Sequence, residues 1–377
     1  MCRLFALTSE EPVSPMTAIK ALDVMKEGHD GSGVGFMLRD LGGPFTEMKD
    51  APILSGIFSE EGIRRLDLFM MDNGFMTKYK MTIKVPKKYE ESDIPRRDVY
   101  LIRAYEIPEE WDGLSDEEIG LRLMEIRLKI REMGEEKNDM IVFSFWPDTI
   151  MIKELGDPME VAHYLGLDRD ELKAGVILAQ GRQNTNYAIN LYACHPFFVE
   201  GFSTMTNGEN TAFIPIKNFL SSRDFPGYTG YQSDSEVFTH ILHYTVKGLN
   251  LGIDAYKHVI TPLQDGEIAT HHDALFLQHL KKTCRQLIID GPNCVIGALP
   301  DKTLFMAQDK KKLRPGVVGG KPGMFAFSSE VCGLDAVIPD RDKSRDIQPM
   351  HLETAIVSPD RQEVRICSQT DPLHLHL

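Results

Sequence analysis

The sequence MCRLFAL at residues 1–7 places a cysteine at position 2, directly before an apolar stretch. Residues 3–7 are mostly apolar, which predicts a short buried strand that begins directly after Cys2. Because the initiator methionine is readily removed before a small residue, the mature chain can begin with Cys2. Its thiol would then lie beside a free α-amine, whose pKa of about 7.7–8.0 suits a base. On its own, a cysteine at position 2 does not separate a nucleophile from an incidental residue.

The composition is that of a large globular protein. The chain has 377 residues, of which 42% are hydrophobic and 26% charged, enough for one large mixed α/β domain. The net charge of −14 argues against a basic nucleic-acid-binding face. No apolar run approaches the roughly 18 residues that cross a bilayer, and the N-terminus lacks the apolar segment of a secretory signal. We therefore expect no membrane association and a cytoplasmic location.

The sequence does not indicate a metal or cofactor site. The six cysteines are scattered without the Cys-x-x-Cys spacing of zinc or iron–sulfur centres. His271 and His272, with His279 further along, have no carboxylate or thiol at a standard ligand spacing, so a helix face is favoured over a metal centre. We expect no metal and no organic cofactor.

Capping signals and periodicity predict helices and strands along the whole chain. Helices are expected to begin after Ser14, Ser115, Asp157 and Ser233, the second and fourth through capping boxes with Glu118 and Glu236. Strands are expected at 33–38, 80–85, 99–107, 140–146, 175–180, 293–298 and 303–307. This pattern fits a sandwich of sheets flanked by helices, with residues about 50–170 as an insertion.

Four further motifs follow Cys2 in a particular order. They are EGHDGSG at 27–33, GRQNTN at 181–186 with His-Pro at 195–196, TNGE at 206–209 and SDSE at 233–236. Together they resemble the loops of the class II, N-terminal nucleophile, glutamine amidotransferases, especially the amidotransferase part of glutamate synthase. DKKKLRP at 309–315 and SSE at 328–330 are similar to late elements of that domain. The resemblance extends over most of residues 2–335, but the insertion carries no such motif.

The resemblance implies how glutamine would be recognised. Arg182 would hold the α-carboxylate through a two-pronged hydrogen bond that lysine cannot reproduce. Its alternative role is an ordinary ion pair. Asp234 would accept the α-ammonium, and its alternative role is to favour the N-terminus of a helix electrostatically.

The same resemblance implies an oxyanion hole. Asn207 would supply its side-chain amide and Gly208 a backbone N–H, both directed at the developing negative charge. The alternative is an ordinary Asn-Gly turn, which is also predicted for residues 73–74. Thr185 and Asn186 would shape the substrate pocket.

The resemblance also implies a fold and a reaction. The fold is α+β, a four-layer αββα sandwich of the N-terminal nucleophile hydrolase type, over residues 2–340 with a C-terminal extension at 341–377. The reaction is hydrolysis of L-glutamine to L-glutamate and ammonia through a γ-glutamyl thioester on Cys2. We expect the nitrogen, or a γ-glutamyl group, to pass to a separate synthase subunit in a hetero-oligomer, as in glutamate synthase or N-methylglutamate synthase.

One position departs from the family pattern. Relatives carry arginine before the glycine of the first loop, where this chain has Glu27 preceded by Lys26. If that arginine orders the nucleophile loop, Lys26 would substitute imperfectly, because its charge lies at the end of a flexible stem. Glu27 therefore favours an alternative, a non-catalytic subunit that binds glutamine or scaffolds a synthase complex. An amidase of the same fold ranks last, since Arg182 and Asp234 match an α-amino acid substrate.

Overall fold

The computed structural model describes residues 2–27, 30–84, 99–183, 191–223, 225, 227–228 and 233–373. Its strands are β1 (Arg3–Val13), β2 (Val34–Leu41), β3 (Pro52–Phe58), β4 (Met76–Lys84), β5 (Val99–Glu106), β6 (Met140–Pro147), β7 (Thr149–Glu154), β8 (Ala174–Gly181), β9 (Phe197–Val199), β10 (Phe202–Gly208), β11 (Asn293–Ala298), β12 (Leu304–Gln308), β13 (Val317–Lys321), β14 (Met324–Ser328), β15 (Glu353–Val357) and β16 (Arg365–Ser368). Its α-helices are α1 (Met16–Val24), α2 (Glu60–Asp72), α3 (Asp116–Lys137), α4 (Pro158–Leu165), α5 (Phe213–Ser222), α6 (Glu236–His243), α7 (Ile253–Ile260), α8 (Asp265–Ala269), α9 (Ala274–Thr283) and α10 (Val331–Val337).

In the described part of the chain the strands form three antiparallel sheets. The first sheet has the order β13-β14-β1-β8-β2-β7, and the second has the order β16-β15-β12-β11-β10-β9. Strand β1 lies inside the first sheet, paired with β14 on one side and β8 on the other. The residue that precedes β1 is therefore held at the middle of a sheet and not at its edge.

Two layers of helix enclose the first and second sheets. Met205, Ile296 and Met306 of the second sheet share one apolar core with the first sheet. The residues that alternate with them, Val295 and Phe305 among them, pack instead against helices α5, α6, α7 and α9. Helices α1 and α10 pack on the first sheet. The order of layers is helix, sheet, sheet, helix, so the predicted α+β class and four-layer αββα sandwich are confirmed.

The third sheet, ordered β4-β5-β3-β6, is inserted between β2 and β7. Apolar residues of α2 and α3 cover one of its faces, and residues of the other face, such as Ile57 and Ile102, join the main core. The sequence places an insertion at about 50–170, and this sheet accounts for residues 52–147 of that range. Strand β7 pairs with β2 in the first sheet. Likewise β15 and β16, from the range predicted as an extension, continue the second sheet.

Local capping explains where several helices begin. Ser115 and Glu118 form the predicted capping box at α3, and Asp157 caps α4 by accepting from the backbone N–H groups of Met159 and Glu160. The predicted capping box at residues 233–236 is wrong, because α6 begins at residue 236 and has no side-chain cap. The carboxylate of Glu236 is buried beside His240, which lies one turn further along the helix. Among the described residues, no helix combines the length and the apolar character that crossing a membrane requires.

Candidate active site

The candidate nucleophile is held by the pairing of β1 with β8. Arg3 lies opposite Gly181 in this antiparallel register, so Cys2 faces the residues that follow β8. The backbone N–H of Gln183 donates to Cys2 Sγ over 3.5 Å, and Sγ lies 3.7 Å from the carbonyl oxygen of the same residue. The sheet therefore positions the thiol without help from a flexible side chain.

Arg182 is a buried residue that follows directly after β8. Its backbone N–H donates to Gly33 O over 2.8 Å, and its carbonyl oxygen accepts from Ser32 Oγ over 3.0 Å. The side chain lines the same cavity as Cys2. Burial raises the pKa of the Cys2 thiol, whereas the backbone hydrogen bond from Gln183 and the positive charge of Arg182 lower it. The resting thiol is thus protonated, and it requires a base before it can attack.

A cavity of about 320 Å³ opens at Cys2 and brings most of the predicted site together. Arg182, Gly208 and Asp234 line it, together with His195 and Glu209. A cavity of this size falls at the lower end of the range for small-molecule sites. The predicted pocket residues Thr185 and Asn186 lie outside the described residues.

Asn207 and Gly208 form the end of strand β10, which excludes the alternative of an Asn-Gly turn. Asn207 is 2% exposed, and its Nδ2 has no hydrogen-bond partner within the described ranges. A buried donor without an acceptor costs free energy, which an oxyanion would recover. Gly208 has a φ of +157°, and a Cβ there would lie 2.0 Å from Pro292 O. Only glycine fits at this position.

Asp234 belongs to a hydrogen-bonded chain on the wall of the cavity. Its Oδ2 accepts from the backbone N–H of Asn210 over 2.8 Å, and its Oδ1 accepts from Ser235 Oγ over 3.2 Å. Thr206 Oγ1 in turn donates to Ser235 Oγ over 2.6 Å. Burial raises the pKa of Asp234, and these hydrogen bonds lower it. Because α6 has no side-chain cap, Asp234 does not serve as its N-cap.

His195 is a cavity residue whose place the sequence did not predict. Its Nδ1 accepts from the backbone N–H of Thr206 over 3.1 Å, and burial lowers its pKa well below 6.5. The imidazole is therefore neutral, with its proton on Nε2. Its backbone N–H donates to Gln180 Oε1 over 3.2 Å, and Gln180 Nε2 donates to Thr206 O over 3.1 Å. The only signal in the sequence was the His-Pro pair after GRQNTN.

Arg3 provides contacts that bear on the missing arginine of the first loop. Its Nε donates to Met25 O over 2.6 Å and its Nη2 to Glu27 O over 3.1 Å. Lys26 turns instead to Asp23, 2.7 Å away on the surface. The Arg3 guanidinium therefore holds the backbone of this loop, and the Lys26 ammonium does not.

Comparisons with known proteins do not show which family the chain belongs to. No protein-family model matches the sequence. An uncharacterized protein from Archaeoglobus fulgidus is 27% identical over 349 residues, which cover 91% of this chain and 88% of that protein. The glutamine PRPP amidotransferase from B. subtilis, solved with ADP and GMP, is 12% identical with a TM-score of 0.48. A structure described as the allosteric regulatory enzyme of purine biosynthesis is also 12% identical, with a TM-score of 0.49.

The chain spans about half the length of these two solved proteins, since the alignments cover 99% of this chain and 50% of each of theirs. At this identity and TM-score, the function of the chain has to be inferred from the residues around Cys2.

In the described part of the chain, no group of three or more His, Cys, Asp or Glu residues is arranged to hold a metal ion.

Proposed function

We propose that this chain is a glutamine amidotransferase, of the class II or N-terminal nucleophile type, that hydrolyses L-glutamine with the thiol of Cys2. One observation carries the proposal. Cys2, Arg182 and Asp234 line one cavity, so a nucleophile, a fixed cation and an anion face the same small volume. These groups match the amide, the α-carboxylate and the α-ammonium of glutamine.

The reaction follows from these positions once Met1 has been removed. The free α-amine of Cys2 accepts the thiol proton, and Sγ attacks the carbon of the side-chain amide. The negative charge on the amide oxygen is stabilised by Asn207 Nδ2 and the backbone N–H of Gly208. The protonated α-amine then donates its proton to the leaving nitrogen, and ammonia departs.

Water completes the cycle. The α-amine accepts a proton from water as the water attacks the γ-glutamyl thioester, and the tetrahedral intermediate uses the same oxyanion hole. The carbon–sulfur bond breaks, glutamate is released and the thiol is restored. Each step uses only groups of the chain, glutamine and water.

The proposal extends to a partner and a location. A separate synthase subunit of the glutamate synthase type would accept the nitrogen or a γ-glutamyl group, so the working form would be a hetero-oligomer. The six free cysteines, which the structure leaves without disulfides, support a reducing compartment such as the cytoplasm.

The second candidate function is a non-catalytic subunit that binds glutamine or scaffolds a synthase complex. The observation in its favour is Glu27, which replaces the arginine of the family motif. The contacts of Arg3 weaken this argument, because they hold the same loop from the residue next to the nucleophile.

The proposal is tested by intact mass spectrometry with a glutamine-like diazo-ketone, which alkylates reactive thiols in glutamine sites. We expect a chain that lacks Met1 and gains one adduct, and excess glutamine should prevent the labelling. Cys2→Ala should gain nothing and lose glutaminase turnover, whereas the control Cys367→Ala should behave as the parent chain. A parent chain that keeps Met1 and gains no adduct, even with candidate synthase subunits present, would favour the non-catalytic subunit. Turnover by Cys2→Ala would exclude Cys2 as the nucleophile.

A further inference from the structure

A second cavity lies beside the candidate active site, where the inserted third sheet meets the main body. Its volume is about 40 Å³, and residues of α3, β6, β7, β9 and α6 line it. Two successive contacts connect this cavity to the first one. Lys153, on the wall of the second cavity, pairs across the sheet with Gly35, and Gly35 lies directly against the backbone of His195.

Lys153 is the distinctive group of this second cavity. The residue is 5% exposed, and its Nζ lies 5.2 Å from the ring centroid of Phe197 and 5.9 Å from that of Phe143. Among the described residues it has neither a hydrogen-bond acceptor nor an ion-pair partner. Burial of an ammonium without an acceptor is costly, and aromatic faces offset only part of that cost.

Charged groups of α3 and α6 lie around Lys153 in this cavity. Arg127 and Arg131 of α3 line it together with Lys153, whereas Glu236 is the carboxylate on its wall among the described residues. Burial lowers the pKa of His240, which is consequently neutral. Burial also lowers the pKa of Lys153, to about 8, so the amine is mostly protonated at neutral pH. Arg131 is paired with Glu135 over 2.8 Å, so the case for an anion rests on the ammonium of Lys153.

We propose that this cavity binds a small monoanion, a halide or a short carboxylate such as formate, on the ammonium of Lys153. Its size sets the class of ligand. At about 10–15 Å³ for each water, a volume of 40 Å³ holds a few water-sized atoms and excludes nucleotides and amino acids. The anion would supply the acceptor that the ammonium lacks and would be shielded from bulk water by the aromatic rings. The site is separate from glutamine hydrolysis and does not depend on it.

Bromide provides a direct test. Crystals of the full chain equilibrated with sodium bromide are expected to show an anomalous peak within about 3.5 Å of Lys153 Nζ. Formate should raise the melting temperature of the parent chain saturably at constant ionic strength, because it binds only the folded state. Lys153→Met, similar in length but uncharged, should fold and lose both the peak and the formate response. The surface control Lys173→Met should keep both.

Two results would overturn the proposal. One is bromide on the surface of the parent crystals with only water at Lys153. The other is an equal formate response in the parent chain and in Lys153→Met. The anomalous experiment on the parent chain remains decisive even where a variant folds poorly.

Discussion

Thr206 donates its backbone N–H to Nδ1 of His195 over 3.1 Å, and this bond determines which ring nitrogen carries the proton. Protonation of Nδ1 would break this bond and would make the buried imidazole a cation. The positive charges of Arg182 and Lys153 oppose that and, together with burial, lower the pKa of His195. Strand β10 thus carries both the residues that we propose as the oxyanion hole and the N–H group that keeps this imidazole neutral.

A pH dependence of stability follows from that neutral imidazole. The pKa of His195 in the folded state lies well below 6.5, so below pH 6.5 the unfolded chain binds the proton more readily. The contribution of His195 is therefore fully present above pH 6.5 and is lost as pH falls toward the folded-state pKa. We expect urea unfolding of His195→Gln to lose less stability than the parent chain between pH 7 and about 5. His163→Gln, at an exposed helix position, is the control and should follow the parent chain.

Asp234→Asn should weaken glutamine binding while leaving the fold intact. The amide oxygen can still accept from Asn210 N–H, but the negative charge opposite the α-ammonium is lost. A charge-assisted hydrogen bond contributes roughly 1.5–3 kcal/mol, so glutamine KM should rise about 10- to 100-fold. An unchanged KM would remove Asp234 from the ammonium site.

A truncated ligand provides the control for that prediction. Glutaramate, which is glutamine without its α-amino group, should bind the parent chain and Asp234→Asn with similar affinity. If the substitution weakens both ligands equally, its effect is on the shape of the cavity and not on the ammonium.

Asn207→Ala should lower kcat with little change in glutamine KM. In the proposed mechanism the amide stabilises charge that develops only in the transition state, and loss of one such donor typically reduces kcat about 10²- to 10³-fold. Stability should change little, because Nδ2 has no partner among the described residues of the folded chain. Steady-state kinetics checks this, with Asn73→Ala, at the C-terminal end of α2, as the control. A rise in KM at constant kcat would assign Asn207 to ground-state binding instead.

Arg3→Lys separates charge from geometry at the nucleophile loop. Lysine keeps the positive charge, but its donors all lie on one nitrogen at the end of a flexible stem. It therefore does not reproduce the fixed spacing with which Nε and Nη2 of Arg3 bond the carbonyl oxygens of Met25 and Glu27. We expect kcat and the rate of diazo-ketone labelling to fall about tenfold, the factor that roughly 1.4 kcal/mol produces, with KM nearly constant. Lys26→Met is the control, since Lys26 pairs with Asp23. Equal losses in the two variants would show that only charge near the loop matters.

The sequence predicts parts of the site that depend on local chemistry. Ser115 and Asp157 cap helices as expected, because capping involves residues only a few positions apart. The order of the motifs also anticipated that Cys2, Arg182 and Asp234 share a cavity. The pairing of β1 with β8 brings Cys2 and Arg182 into one cavity. The sequence can indicate this arrangement, because each residue adjoins a short apolar strand and belongs to a motif of the family.

The part that the sequence did not predict depends on distant contacts. His195 is placed by Gln180 and by Thr206, which lie on different strands and in different sheets. The capping box at residues 233–236 failed for a similar reason. Glu236 is drawn into the interior beside His240, and a local pattern carries no information about that burial.

The insertion of the third sheet between β2 and β7 has a consequence for how this architecture can be altered. Arg39 near the end of β2 lies directly opposite Thr149 at the start of β7, so the inserted segment leaves and re-enters the body at neighbouring points. A tight turn of a few residues can bridge such a gap. The segment is therefore inserted at the tip of a hairpin whose backbone pairing does not include it, while one face of its sheet packs in the main core. Its removal would leave the pairing of β1 with β8 but would expose the core residues that pack against Ile57 and Ile102. It would also take away Arg127 and Arg131, and with them one wall of the second cavity.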